Sequence, residues 1–373
     1  MVTLFGTGLG PDPRDETAAI SEPGDLAFPI EVFLGGKPAE VLYHGRADRP
    51  GRDRLDITIP AGALGCYTSV WTRTGNYVSN FPTIAVAAEG GLCGNQGFSL
   101  PDLEAVLAKP AVSAGWLSAG KFLSTAPAPI GTFVTDSTNA SFVRYDAFTY
   151  TNYGGRQDPG SGSCVVTQGL GTSVVFPPAL KYLDAGATVA FKVQGGAEVR
   201  LTKQTPIPTY VYSSAPPLRP LFLPASGGTL EFAGTGGEDV GAFSATIAAA
   251  APFTWTNRSR ITAVNRSQPL EITWEGGEPD NSYMIIYGAA ATATNPPLIT
   301  AFNCAAPTAD GRFTVPRDVL SAMVASATIP GSPVPTGQLA LINYKPPVPF
   351  TAPGLDVGTI NYYVWDGLLV NYP

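Results

Sequence analysis

Apolar and polar residues alternate along much of the chain, and this period of two residues is typical of half-buried β-strands. The first clear run places four apolar residues on one face: Phe28, Ile30, Val32 and Leu34. The pair Gly35-Gly36 follows and predicts the turn of a β-hairpin. Alternating runs at 55–60, 67–72 and 78–86 then repeat the pattern. Short strands at this regular spacing are typical of a β-sandwich.

Composition supports an all-β fold. The chain of 373 residues contains 42 glycines and 36 prolines, while only 14% of its residues are charged. Glycine supplies the positive φ angles of tight turns and proline interrupts helices, so this balance favours many short strands joined by turns. The net charge of −7 argues against a nucleic-acid partner. No apolar run approaches the length that spans a bilayer, so we expect no membrane span.

The pattern of strands divides the chain into three parts. Residues 1–88 are predicted to form a first sandwich. Residues 89–163 are predicted to be a small irregular middle section with a short helix near 99–108, packed on a neighbour because its apolar content is low. Residues 164–373 are predicted to form a second sandwich region, divisible into 164–222 and 223–373. The predicted architecture is therefore a tandem of β-sandwiches.

The C-terminal tail carries a strong local signal. Asp366-Gly367 lies between two apolar runs and predicts a two-residue hairpin over 360–372. Both faces of the first run are apolar or aromatic, so such a ribbon needs cover on both sides.

Four cysteines without a CxxC pair favour two disulfides over a zinc or redox motif. The sequence allows three pairings. We favour Cys66 with Cys93, because the segment between them is predicted to be a hairpin, which leaves Cys164 with Cys304. Two disulfides and few charges suit an extracellular or cell-surface protein.

Four stretches in the first sandwich resemble a known family: VTLFGTGLGP, IEVFLGGKPAEVLYHG, LDITIPAGALGCYTSVWTRTG and VSNFPTIAVA. Together they resemble the Solibacter-type C-terminal domain of secreted acidobacterial proteins, which is similar to Ig-like IPT/TIG modules. Later stretches, DVGAFSATI, PFTWTN and FNCAAPTADGRFTVPRDVL, resemble the region that accompanies this domain. The resemblance implies secretion and an Ig-like sandwich, and it implies no catalytic residues.

The chain departs from the family at its start. Family members carry a further strand and a P-G-S turn before the V-T-L-F-G strand, and here the chain begins at Met1 without them or a signal peptide. We expect Met1 to be either a processed end or a truncated start. If the end is real, one sheet lacks its edge strand.

Candidate chemistry is sparse. The only histidine, His44, is interpreted as an exposed loop residue, so a catalytic triad is not expected. Acidic clusters at 236–239 and 275–280 do not match a calcium-loop spacing. Five tryptophans could stack on sugars, although core packing is their commoner role: Trp71, Trp116, Trp255, Trp274 and Trp365. We expect no enzyme activity, no cofactor and no metal.

An Ig-like domain without its first strand exposes unpaired backbone groups that another strand should cover. We therefore expect a structural protein that assembles with copies of itself into a filament or surface layer by strand complementation. A head-to-tail contact of this kind does not close. The alternative is a carbohydrate-binding or adhesive module with surface glycans as partners, and in a monomer the tail would pair inside its own domain. The expected interface residues are Val2, Leu4, Phe5, Ile360, Tyr362, Val364, Trp365, Leu368 and Val370.

Overall fold

The structure of the protein is a computed structural model. It describes residues 1–10, 26, 28–49, 51–88, 93, 106, 108–147, 159–170, 180–203, 211–213, 221–225, 227–278, 282–328, 331 and 334–373. The predicted all-β class is confirmed, with 56% of residues in strands and 4% in helices. The Ig-like character of the sandwiches stays a prediction.

The first sandwich is formed by eight strands that close around one apolar core. They are β1 (Val2–Gly6), β2 (Glu31–Leu34), β3 (Lys37–Ala39), β4 (Val41–Arg46), β5 (Asp53–Ile57), β6 (Gly65–Thr74), β7 (Tyr77–Val78) and β8 (Thr83–Val86). One sheet has the order β1-β5-β4, and the other has the order β3-β2-β6-β7 with β8 also on β6. The predicted hairpin at Gly35-Gly36 is confirmed between β2 and β3, and both glycines have the positive φ that this turn requires.

The rest of the chain contributes seventeen further strands with described bounds. These are β9 (Ala111–Ala126), β10 (Gly131–Asp146), β11 (Cys164–Leu170), β12 (Lys181–Tyr182), β13 (Thr188–Val193), β14 (Glu198–Lys203), β15 (Val211–Ser213), β16 (Thr229–Gly234), β17 (Phe243–Ala248), β18 (Phe253–Trp255), β19 (Leu270–Gly276), β20 (Tyr283–Ala291), β21 (Leu298–Pro307), β22 (Arg312–Val315), β23 (Gln338–Tyr344), β24 (Val348–Pro349) and β25 (Val357–Leu369). A short α-helix, α1 (Arg317–Ser321), and two 3-10 turns, Arg258–Arg260 and Thr308–Asp310, accompany them.

Fourteen of these strands form one large sheet. Its order is β11-β21-β20-β23-β25-β9-β10-β15-β14-β13-β16-β17, with β12 beside β10 and β24 beside β25. The half from β25 to β17 curls around its own core, and β17 returns against β25. The half from β11 to β25 packs on the small sheet β18-β19-β22 across a second core that contains Trp255, Trp274 and Phe302.

The middle section of the sequence contributes to the centre of this sheet. β9 and β10 are sixteen-residue strands that pair with each other, and β9 also pairs in parallel with β25 from Val357↔Ala114 to Leu368↔Thr125. The two strands therefore share their core with strands from both ends of 164–373. The helix predicted near 99–108 lies almost entirely outside the described residues.

The predicted hairpin of the tail is wrong. β25 continues without a turn through Asp366 and Gly367, because β23 pairs with one of its edges and β9 with the other. A turn at this point would break both ladders. Asp366 is instead accommodated in the strand by Arg258, whose Nε donates to Asp366 Oδ1 at 2.7 Å. The expectation that both faces of this run are covered is confirmed, since Tyr362 lies in the core of the curled half of the sheet and Tyr363 packs against an apolar cluster on the other face.

Both favoured disulfides are present. Cys66 pairs with Cys93, and Cys164 pairs with Cys304. The second bridge joins residues that lie directly opposite each other on β11 and β21, so it ties the edge strand β11 to the large sheet.

The first sandwich packs on the rest of the molecule. Trp71 and Phe81 from this sandwich enter the second core beside Val319 of α1. Arg73 Nη1 donates to Asp318 Oδ2 at 2.8 Å and strengthens the contact. The position of β1 relative to the large sheet is thereby set by both apolar packing and an ion pair.

Candidate functional site

A groove opens between the two sheets of the first sandwich, beside β1. Its volume is about 450 Å³. Leu4 and Leu55 line it from one sheet, and Val70, Trp71 and Ile84 line it from the other. The remaining lining residues are Phe5, Gly6, Thr7, Gly8, Leu9, Asp53, Thr72, Ser79, Asn80 and Pro82. Of these residues, Leu4 and Phe5 were expected at an interface and Trp71 was a candidate for sugar stacking, whereas Leu55 and Ile84 belong to the alternating runs 55–60 and 78–86 that could have indicated them.

The outer edge of β1 borders this groove. β1 pairs antiparallel with β5 from Val2↔Ile57 to Gly6↔Asp53, and no other strand within the described part of the chain pairs with it. In such a ladder alternate residues direct their N–H and C=O groups away from the partner strand. The free edge therefore offers backbone donors and acceptors next to an apolar cleft.

Side chains of β5 hold β1 in place. Thr3 Oγ1 donates to Asp56 Oδ1 at 2.7 Å, and the N–H of Leu9 donates to Asp53 Oδ2 at 2.8 Å. Asp53 is almost fully buried and pairs with Arg46, whose Nη2 also donates to the carbonyl of Gly10 at 2.8 Å. These bonds order β1 before a partner binds. The loss of conformational entropy on binding is therefore smaller than for a flexible segment.

The Asp56 carboxylate belongs to the same network. A hydrogen bond from Arg54, reinforced by the one from Thr3, holds the pKa of Asp56 below its usual value despite the opposing effect of burial. The carboxylate consequently stays ionised and keeps accepting from β1 at neutral and mildly acidic pH.

β1 lacks the protection that several other edges in the described part of the molecule show, although β11, CVVTQGL, and β17, FSATIA, are also terminal strands without charge or proline. β3 carries Lys37 and Pro38, β24 contains Pro349, and β7 is only two residues long. Charges, prolines and shortness are the usual devices against strand pairing. β1 has five residues, VTLFG, with no charge and no proline. Its Phe5 is 54% exposed and is contacted by the Arg52 guanidinium, 3.7 Å from the ring centroid.

The tail residues expected at an interface lie elsewhere and are not free. Ile360, Tyr362, Leu368 and Val370 are buried in the two cores of the large sheet. Burial of four such side chains contributes on the order of 6–12 kcal/mol. To act as a donor strand, β25 would have to leave the large sheet. It would then lose this burial energy and its backbone hydrogen bonds to β23 and β9. Val364 and Trp365 are partly buried against the same sheet and share this constraint.

The tryptophans do not form an exposed sugar-stacking face. Trp71, Trp255 and Trp274 are buried. Trp116 and Trp365 are partly buried and contact Tyr145 and Tyr287 at ring-centroid distances of 6.0 and 5.4 Å. Core packing, the commoner role of tryptophan, therefore accounts for most of them.

The other chemical candidates are held in structural contacts. His44 lies within strand β4 and is half-buried, so its interpretation as an exposed loop residue is wrong. In the acidic clusters, Glu278 pairs with Lys345 at 3.5 Å and Asp239 pairs with Lys181. Residues 279–281 lie outside the described part. Among the residues that the structure describes, no group of three or more potential metal ligands comes together, and no helix is long and apolar enough to cross a membrane.

Comparison with protein-family models finds no matching family, and comparison with curated proteins finds no match.

Proposed function

We propose that this chain is a non-enzymatic structural protein of the extracellular space or cell surface that associates with copies of itself by adding a strand to the free edge of β1. The observation that carries the proposal is the edge itself. It carries no charge or proline, no strand among the described residues pairs with its outer side, and it borders a groove of about 450 Å³. The two disulfides agree with an oxidising compartment. The resemblance to a domain of secreted proteins supports the same location.

The strand that the edge receives is β1 of a second copy. A head-to-tail exchange would need the tail, and the tail is locked between β23 and β9. β1 has no charge that would repel its own copy, and antiparallel pairing of two copies joins their three-stranded sheets into one of six strands. The two-fold axis of that pairing is perpendicular to the sheet. Val2 and Leu4 of each copy then stay on the inner face and point toward the other copy's groove.

A two-fold contact of this kind is isologous and closes. Its product is a dimer, and extension into a filament or surface layer needs a second contact. Five paired residues are fewer than a standard interface contains, so the association is expected to be weak and dependent on concentration.

The decisive experiment changes the edge without disturbing the core. Phe5→Lys places a charge on the exposed face of β1, and each dimer would then bring two such charges together. Tyr77→Lys is the matched control, because Tyr77 is an aromatic residue 84% exposed on β7. Sedimentation equilibrium up to about 100 µM should show a dimer for the original and Tyr77→Lys chains, with at least about tenfold weaker association for Phe5→Lys.

Cysteine cross-linking tests the geometry. When two copies of β1 pair antiparallel, the two-fold axis passes midway between two directly opposite residues. One residue of β1 therefore lies opposite the same residue of the second copy. Single cysteines introduced in turn at Val2, Thr3, Leu4 and Phe5 should give one efficient homodimeric disulfide. A chain that stays monomeric at every concentration would refute the proposed association. A dimer that Phe5→Lys leaves intact would refute the edge of β1 as its site.

A further inference from the structure

The hairpin of β9 and β10 ends in an apex that extends past the strands beside it. The ladder between β25 and β9 ends at Leu368↔Thr125, and β15 pairs with β10 only at 139–141. Residues 126–131 continue beyond both neighbours and close the hairpin. No strand within the described part of the chain flanks this apex, so it forms a convex feature of the surface.

The apex exposes apolar side chains. Ile130 is 53% exposed and Phe133 is 40% exposed, and residues 127–129, two prolines and an alanine, are exposed as well. Leu221, 47% exposed, belongs to the segment that bonds to Asp136 on β10. Single exposed apolar residues are common on protein surfaces, whereas these side chains gather at one end of one hairpin.

This end of the hairpin carries no charge. No charged residue lies between Lys121 and Asp136, and these two form an ion pair with each other across the ladder at 2.9 Å. Arg258, which bonds to the base of the apex, is paired with Asp366. The apex can therefore leave water without the large cost of desolvating an unpaired ion.

The backbone of the apex also has few donors to desolvate. Pro127 and Pro129 have no N–H, and the N–H of Ile130 donates to the carbonyl of Pro127 at 3.2 Å. The hydroxyls of Thr125 and Thr132 bond to each other at 2.7 Å. Unpaired polar groups are the main cost of placing backbone in an apolar medium, and the hairpin has already paired most of its donors.

The shape and size of the apex favour a bilayer over a protein as its partner. A stable protein interface buries about 800 Å² on each side and needs a complementary hollow. A turn with two large apolar side chains offers much less area. A bilayer accepts a convex apolar feature without any complementary shape.

Aromatic residues lie behind the apex on one face of the sheet. Phe122 is directly opposite Thr135, which lies two residues from Phe133 and so shares its face of β10. Trp365 is partly exposed and contacts Phe122 at a ring-centroid distance of 6.2 Å. Tryptophan is enriched at the level of lipid headgroups, where one side of the ring is apolar and the other is wet.

We propose that the apex of the β9–β10 hairpin docks on a zwitterionic phospholipid bilayer, with Ile130 and Phe133 among the upper acyl chains and Trp365 at the level of the headgroups. The contact is peripheral and does not depend on the association through β1. Because the apex is uncharged and the chain carries a net charge of −7, anionic lipids add no affinity.

Vesicle flotation with the full chain tests the proposal. We expect the protein to float with vesicles of phosphatidylcholine. The bound fraction should not rise when phosphatidylglycerol is added to the vesicles, nor fall when NaCl is raised from about 50 to 500 mM, because apolar contacts carry the binding. Binding that requires phosphatidylglycerol and is lost at high salt would overturn the proposal in favour of adsorption by charge.

Ile130→Glu places a charge at the centre of the apex and should weaken binding to the vesicles by at least about tenfold. Leu42→Glu is the matched control, because Leu42 on β4 is 52% exposed and the same charge there should leave the binding unchanged. Absence of flotation would overturn the proposal, as would flotation that Ile130→Glu does not alter. Without vesicles, Ile130→Glu should leave the association through β1 intact, and loss of that dimer would assign the apex to a contact between copies instead.

A tryptophan at the apex reports its depth. Relative to the original chain, Ile130→Trp should add emission that shifts to shorter wavelength with phosphatidylcholine vesicles and is quenched by lipids brominated on their acyl chains. Leu42→Trp, at a position of equal exposure, should show neither effect. Equal quenching of the two variants would mean that the apex does not enter the bilayer, and it would overturn the proposal.

Discussion

Asp136 on β10 is predicted to be among the most important polar side chains for stability. Its side chain is fully buried, and all of its recorded partners are donors. Oδ1 accepts from Lys121 Nζ at 2.9 Å, directly across the β9–β10 ladder. Oδ2 accepts from the backbone N–H groups of Phe222 and Leu223 at 2.8 and 2.7 Å. One carboxylate thus joins the central hairpin to the segment that covers the curled core.

Asp136→Ala removes every one of these acceptors. It leaves two backbone N–H groups and an ammonium group without partners, and loss of one member of a buried ion pair costs about 3–5 kcal/mol. Asp136→Asn keeps one oxygen for the two N–H groups but turns an amide toward Lys121, so we expect a loss of about 2 kcal/mol. Asp310→Ala, at an exposed acid, should change the free energy of unfolding by less than about 0.5 kcal/mol.

The assay is urea unfolding followed by tryptophan fluorescence, with both disulfides intact. The expected order of destabilisation is Asp136→Ala, then Asp136→Asn, then the exposed control. A loss below about 1 kcal/mol for Asp136→Ala would show that the segment containing Phe222 and Leu223 is held by apolar packing and that the carboxylate contributes little.

Three further predictions concern the fold. Replacing Cys164 and Cys304 by serine removes a bridge between residues 140 apart, and loop entropy predicts a loss of about 5 kcal/mol in urea unfolding; an unchanged midpoint would contradict this. The pKa of Asp56 is lowered in the folded state, so its contribution to stability is fully present above its unfolded pKa and is lost as pH falls through the folded pKa. Asp56→Asn should therefore flatten the acid end of a profile of melting temperature against pH, below about pH 4. A profile parallel to that of the original chain would argue against the network. Gly288→Ala would place a methyl group against the buried ring of Phe302 and should lower stability by about 1–3 kcal/mol in the same urea assay, and an unaffected variant would mean that the ring can move aside.

Local pattern was sufficient for the all-β class and for much of the first sandwich. The alternation ending at Leu34 and the turn at Gly35-Gly36 are properties of adjacent residues. The turn forms, and Val32 and Leu34 are buried as expected, whereas Phe28 lies outside β2 and is exposed. The pairing of Cys66 with Cys93 also followed from the segment between them, and the pairing of Cys164 with Cys304 followed by elimination. These features depend on short-range geometry, which the order of residues carries directly.

β9 was not predicted, because its sequence AVSAGWLSAGKFLSTA is rich in small residues and lacks a run of large apolar ones. Its neighbours explain this composition. A Cβ on Gly120 would meet the ring of Tyr363 at 2.5 Å, and one on Gly115 would meet Phe142 and Leu355. Small residues are required there because large side chains from other strands occupy the space, and strand preference depends on such neighbours.

Two surface regions of the molecule differ in the same way. The run VTLFG by itself predicted a strand at β1, and the structure adds that one edge of this strand has no partner strand among the described residues. Only the tertiary structure brought Arg266 and Arg317 to one pocket, because they are separated in the chain and meet through the packing of α1 on the tail. The tail shows most clearly what the local sequence cannot decide. Asp366-Gly367 favours a turn, but β23 pairs with one edge of β25 and β9 with the other, and both pairings keep β25 extended. Hydrogen bonds to two distant strands outweigh the preference of two adjacent residues, and a linear pattern cannot show that those strands will be there.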